Sequence, residues 1–123
     1  MWGDLMDESI LNSVKKALGI VETYDSFDDQ IILYINTALA VLVQTGVGTE
    51  GFAISGSQAT WSDFLGDKMR ALEYSKTYVI LRVRLMFDPP QSSSAVEQMK
   101  AMIAEFEWRG YIECDPVTKP ADH

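Results

Sequence analysis

Carboxylates are the commonest reactive groups in this sequence, so acid–base chemistry is the first possibility to test. Of 123 residues, 18 are Asp or Glu and 10 are Lys or Arg. Asp25, Asp28 and Asp29 cluster just before an apolar stretch. Their spacing departs from the calcium-loop pattern D-x-[DN]-x-[DN]-G, and acids at a helix start sit well on the positive end of its dipole, so capping and solvation account for them. Glu105 and Glu107 are two apart, which on a helix sends them to different faces. The single cysteine, Cys114, rules out an internal disulfide and a multi-cysteine zinc site. Its acidic neighbours Glu113 and Asp115 disfavour the thiolate that a nucleophile needs. The one histidine, His123, is the last residue, whereas a Ser-His-Asp or Cys-His centre needs a histidine held in packed scaffold. Gly46, Gly48, Gly51 and Gly56 fall close together, but neither G-x-x-x-x-G-K-[ST] nor G-x-G-x-x-G is present and the nearby charge is negative, so they read as a loop. No catalytic, cofactor-binding or metal-ligating residue is assigned, and no cofactor is expected.

The basic residues follow a different pattern. Lys68, Lys76 and Arg84 recur at eight-residue steps, close to one face of a helix, with Arg70 and Arg82 beside them. They face an uneven background. Residues 1–67 carry ten acids against Lys15 and Lys16, which is the whole formal net charge of -8; residues 68–123 hold eight of each sign. The acidic total weighs against wrapping nucleic acid. The stripe reads first as a partner for the acidic half of the same chain or of a neighbouring copy.

The elements that must position these groups read as mostly α, a compact bundle of about four helices. The length suits one domain, and the 47 % apolar share is ordinary for a globular protein. No apolar run reaches the roughly 18 residues of a membrane span, and no basic segment precedes an apolar one, so neither membrane insertion nor secretion is expected. The first helix runs from about Asp7, its cap, to Leu18, with Gly19 as a left-handed stop. The second opens with Ser26 and Asp29 at capping-box spacing, lines up Phe27, Ile31, Ile35, Leu39, Leu42 and Val43, and ends at Gly46. It is apolar nearly all round, as in a helix central to a core or shared between subunits. The glycine-rich loop that follows has room for a short hairpin at Ser55-Gly56. A third helix, capped by Ser62 and hesitating at Gly66, extends to Met86, although Tyr78 to Leu85 is β-branched enough to suit a strand. Asp88-Pro89-Pro90 stops it. The fourth starts with Ser94 and Glu97 as a capping box, buries Val96, Met99, Ile103 and Phe106, and ends near Arg109-Gly110. Trp61 and Trp108 read as core anchors. Residues 1–112 form the helical domain, and residues 113–123 a C-terminal tail, extended and either flexible or docked on a partner.

The order of these features is that of a known family. Val14-Lys15-Lys16-Ala17-Leu18-Gly19-Ile20 precedes Phe27-Asp28-Asp29 and a long apolar helix closing on Gln44-Thr45-Gly46-Val47-Gly48. Trp61-Ser62-Asp63-Phe64-Leu65 follows, then Val83-Arg84-Leu85-Met86-Phe87-Asp88-Pro89-Pro90 and a helix ending Glu105-Phe106-Glu107-Trp108-Arg109. Over residues 8–112 the chain resembles the head–tail connector (adaptor) proteins of tailed bacteriophages, the HK97-type connectors. The resemblance implies a structural neck protein with no catalytic residues, assembled in the bacterial host cytoplasm and resident in the virion neck. It implies a homo-oligomeric ring of about a dozen copies. That ring would sit between the portal protein and the tail-side neck or stopper protein, lining a channel through which DNA passes without sequence-specific binding. In such a ring Arg82, Arg84, Tyr78 and Lys76 are the candidate subunit interface, and the tail, with Tyr111, Ile112 and Val117, the candidate portal-docking segment. The alternative is a small phage helical regulatory module that binds DNA or a packaging partner through an exposed Lys68-to-Arg84 stripe.

Overall fold

Five α-helices and one 3-10 turn make up the described residues of the computed structural model, which cover 8–114, with side chains described through residue 109. The helices are α1 (Ile10–Ala17), α2 (Asp28–Gln44), α3 (Trp61–Leu65), α4 (Leu72–Phe87) and α5 (Ser93–Cys114), with the 3-10 turn at Met69–Ala71. Helix α4 is the hub: it packs on α2, on α5 and on α1. The stretch of α4 that also suited a strand is therefore helical, and its Tyr78, Val79 and Val83 are fully buried.

The glycine stops are where the sequence places them. At the end of α1, Gly19 takes φ +83°, its N–H bonds Lys16 O at 3.1 Å, and Ile20 N–H reaches back to Lys15 O at 2.8 Å. Helix α2 ends in the same way, with Gly46 at φ +96°, Gly46 N–H on Val43 O and Val47 N–H on Leu42 O. This paired-bond motif satisfies carbonyls that a helix end leaves open, and it tucks Val47 into the core.

The N-terminal caps differ from expectation. Ser9 caps α1, its Oγ accepting from Asn12 N–H at 3.2 Å, and Asp7 lies outside the described residues. Helix α2 has no side-chain cap; its cap position is Phe27, so Ser26 and Asp29 make no box. Thr60, not Ser62, caps α3 in a reciprocal box with Asp63, and Gly66 separates α3 from α4. Ser92 Oγ, not Ser94, accepts from Ala95 N–H at 3.0 Å. At α3 and α5 several oxygen-bearing side chains compete within one turn, and packing of the following helix selects the register.

Residues 46–60 form a loop with no hairpin ladder. Asn36 takes the place of a pairing strand: its Nδ2 donates to Ile54 O at 3.0 Å and its Oδ1 accepts from Ile54 N–H at 2.8 Å, holding Ile54 in the core. At Gly48, φ is +87° and a Cβ would fall within the Phe64 ring, so both backbone and contact require glycine. A β-bridge between Ser9 and Thr60 ties the loop's end to the start of α1. Trp61 beside it is fully buried and donates its Nε1–H to Ser13 Oγ at 2.9 Å, a core anchor as expected. Trp108 is not one; it is exposed on α5. Helix α5 also outruns its expected end. Gly110 costs a helix interior only about 1 kcal/mol, too little to stop one. Tyr111 and Ile112 thus belong to α5 rather than to an extended tail, and Val117 lies outside the described residues.

Candidate functional site

The seam between α4 and α5 gathers most of the residues singled out in the sequence. Tyr78, buried on α4, donates its hydroxyl to Glu107 Oε2 at 2.7 Å, and Arg82 Nη1 reaches the same oxygen at 3.1 Å. The Arg82 guanidinium lies 5.9 Å from the centre of the Tyr78 ring. One turn toward the start of α4, the Tyr74 hydroxyl donates to Phe106 O and the two rings lie 5.3 Å apart. Burial, with the hydrogen bond to Glu107 adding to it, pushes the Tyr78 hydroxyl far above its usual pKa, so it stays a donor throughout the neutral range. Beside this cluster an open groove of about 350 Å³ is floored by Leu85, Ile103 and Ala104 and flanked by Arg82 and Lys100.

Of the four residues expected at a subunit interface, three make contacts inside the chain. Tyr78 and Arg82 fasten α5; Lys76 Nζ pairs with Glu8 Oε1 at 2.8 Å, across the start of α1. Arg84 is exposed. The rest of the stripe is divided too, since Lys68 Nζ donates to Gly46 O at 2.6 Å, a cation on the negative end of α2.

Two residues that sequence reasoning passed over prove central. Glu107 is the hub of the α4–α5 cluster, and its spacing from Glu105 was informative only about what the pair does not do. Lys15 is almost completely buried; its Nζ pairs with Asp28 Oδ1 at 2.8 Å and donates to Glu22 O at 2.9 Å. Asp28 is therefore not merely solvated: it neutralises a buried ammonium that joins α1 to α2. The apolar spacing around Lys15 (Leu11, Val14, Leu18) was the available signal, since it places Lys15 at the edge of the buried face.

A second depression, about 670 Å³, lies between α1 and α2, lined by Glu22, Asp25, Asp28 and Asp29 and closed by Ser55 to Gln58. Among the described residues no three His, Cys, Asp or Glu side chains converge as metal ligands, and no helix is long and apolar enough to cross a membrane. The polar groups described above join one element of this helical scaffold to another. A family model described as phage connector protein matches residues 10–117, most of the chain. The chain belongs to that family, and it is a phage structural connector of mostly helical fold. Comparison with curated proteins and with solved structures gives no match.

Proposed function

We propose that this connector assembles into a closed ring of about a dozen copies between the portal and the tail-side neck protein, with DNA passing through its centre. The observation that carries the reading is the outer face of α2. Leu33, Thr37, Ala40 and Gln44 share that face; Leu33, Ala40, Thr37 and Gln44 are all exposed, and none is charged. Between Asp29 and Glu50 the chain has no charged residue at all, although 23 % of its residues are charged. A solvated helix face ordinarily carries charge, and a smooth uncharged one suits helix-on-helix contact with a neighbouring copy. Arg84, exposed on α4, adds a cation that such a neighbour's acidic half can meet. The net charge of -8 supports passage of DNA, because an acidic wall repels phosphate where a basic one would retain it. The C-terminal residues, from Tyr111 and Ile112 on α5 to Val117, are the segment proposed to reach the portal.

Negative-stain electron microscopy of the purified chain with the portal of its phage tests this reading. Rings seated on the portal are expected, and Ala40→Glu should abolish them while leaving the melting temperature unchanged. Monomers only, alone and with portal at high concentration, would overturn the ring.

A further inference from the structure

One end of the α2–α4 pair carries an apolar surface that the fold does not cover. Val21, Tyr24 and Phe27, on the link from α1 into α2, are 67 %, 48 % and 41 % exposed. The Tyr24 and Phe27 rings meet edge-on with centres 5.6 Å apart, and Phe27 meets Phe87 in the same way at 5.2 Å. Exposed Met86 precedes Phe87 at the end of α4. The three rings are contiguous, and an aromatic ridge of this kind left in water is characteristic of an interaction surface.

Its rim is acidic along residues 20–30, while on α4 the exposed Arg84 lies one turn before Phe87. Glu22, Asp25 and Asp29 alternate with the three apolar residues and are exposed, Asp88 follows Phe87, and residues 20–30 contain no base. The acidic depression of about 670 Å³ opens beside the ridge and is lined by Glu22, Asp25 and Asp29. A ridge for aliphatic or aromatic contact next to an acidic hollow fits a partner segment that presents apolar and basic side chains together.

A second copy of this chain does not offer such a segment among its described residues. Lys15 is buried against Asp28, Lys76 pairs with Glu8, and Arg82 with Glu107. On α5, Lys100 and Arg109 are each accompanied by a glutamate, Glu97 and Glu105. Lys68 donates to Gly46 O, and Lys16, Arg70 and Arg84 are exposed but scattered over α1, the 3-10 turn and α4. We therefore infer that the Tyr24–Phe27–Phe87 ridge and its acidic rim dock a basic, apolar-bearing segment of a different protein of the neck, leaving contacts between copies to other faces. The inference rests on the connector reading above and assigns that protein's partner a chemistry and a place.

The triple variant Glu22→Lys/Asp25→Lys/Asp29→Lys reverses the rim without touching a buried side chain, and Tyr24→Ser trims the ridge. Each is compared with the unaltered chain by sedimentation, for its own ring, and by co-sedimentation with the purified portal and with the purified tail-side neck protein of the same phage. The expected result is an unchanged ring and a loss of about tenfold or more in binding to one of the two, with the unaltered chain's binding weakening as salt rises. Unchanged binding to both proteins would overturn the inference. Loss of the ring itself would also overturn it, by handing the ridge to a second copy. If the unaltered chain forms no ring and binds neither protein, the connector-ring reading fails first and the inference falls with it.

Discussion

At the scale of single residues, Tyr78 does what a phenylalanine could not. Its ring fills the middle of the bundle, and its hydroxyl gives Glu107 a partner that burial keeps protonated. Because its pKa in the fold is raised well above the ordinary 10.0, the sign of the pH effect follows. Below about pH 10 both folded and unfolded chains hold the proton, and the stabilisation is complete. Above that the unfolded chain releases it and the folded chain does not, so stability falls with rising pH. Tyr78→Phe should lose about 1 kcal/mol at neutral pH, since Glu107 keeps only Arg82. It should also flatten the decline above pH 10. Urea unfolding of both proteins between pH 7 and 11 measures this; parallel pH curves would show that the hydroxyl contributes nothing through its ionisation.

At the scale of elements, what could be read in advance follows from how unique each physical requirement is. Positive φ at a helix end is a demand that glycine meets almost alone, so Gly19 and Gly46 mark the ends of α1 and α2 correctly. Prolines after Asp88 are equally unambiguous, and α4 stops at Phe87. Capping is a shared ability: Ser92 and Ser94 are both competent, as are Thr60 and Ser62, and the choice depends on tertiary packing that local spacing does not encode. The α4–α5 cluster was half legible for the same reason. Tyr78 and Arg82 stood out by type, but their partner Glu107 is 25 residues or more away, and only the docked helices bring it in. The missing hairpin is the clearest case. Alternating Phe52 and Ile54 suggest strand pairing, yet the chain satisfies the Ile54 backbone with one side-chain amide, that of Asn36. Asn36→Ala leaves a buried N–H and C=O to find new partners and should cost about 2 kcal/mol. It should also release the Ile54 amide to fast hydrogen exchange while α2 amides stay protected. If Ile54 remains protected, the loop is held by its apolar contacts instead.

At the scale of the whole molecule, the uneven charge of the sequence divides into two parts once the fold is known. One part is internal. Lys15 with Asp28 joins α1 to α2, Lys76 with Glu8 joins α4 to the start of the domain, and Arg82 with Glu107 joins α5 to α4. Among the described residues only Lys76 forms an ion pair between the basic half and the acidic half, so the polarity is not a simple code of one half for the other. The second part is external: the acids around the Tyr24–Phe27 ridge, and Arg84. Two residues that look alike in the sequence, two positions apart on one helix, therefore predict different failures. Arg82→Glu sets a carboxylate against Glu107 in a half-buried seam and should lower the unfolding free energy by about 2 kcal/mol, loosening α5. Arg84→Glu touches no described intramolecular partner and should change stability by less than about 0.5 kcal/mol, but under the proposed ring it should weaken assembly by removing a cation from the surface proposed to lie between copies. Thermal unfolding and sedimentation of the two variants side by side separate these outcomes. Rings of Arg84→Glu that withstand dilution as well as those of the unaltered chain would remove Arg84 from the interface, and a stable Arg82→Glu would show that the α4–α5 seam holds without its ion pair.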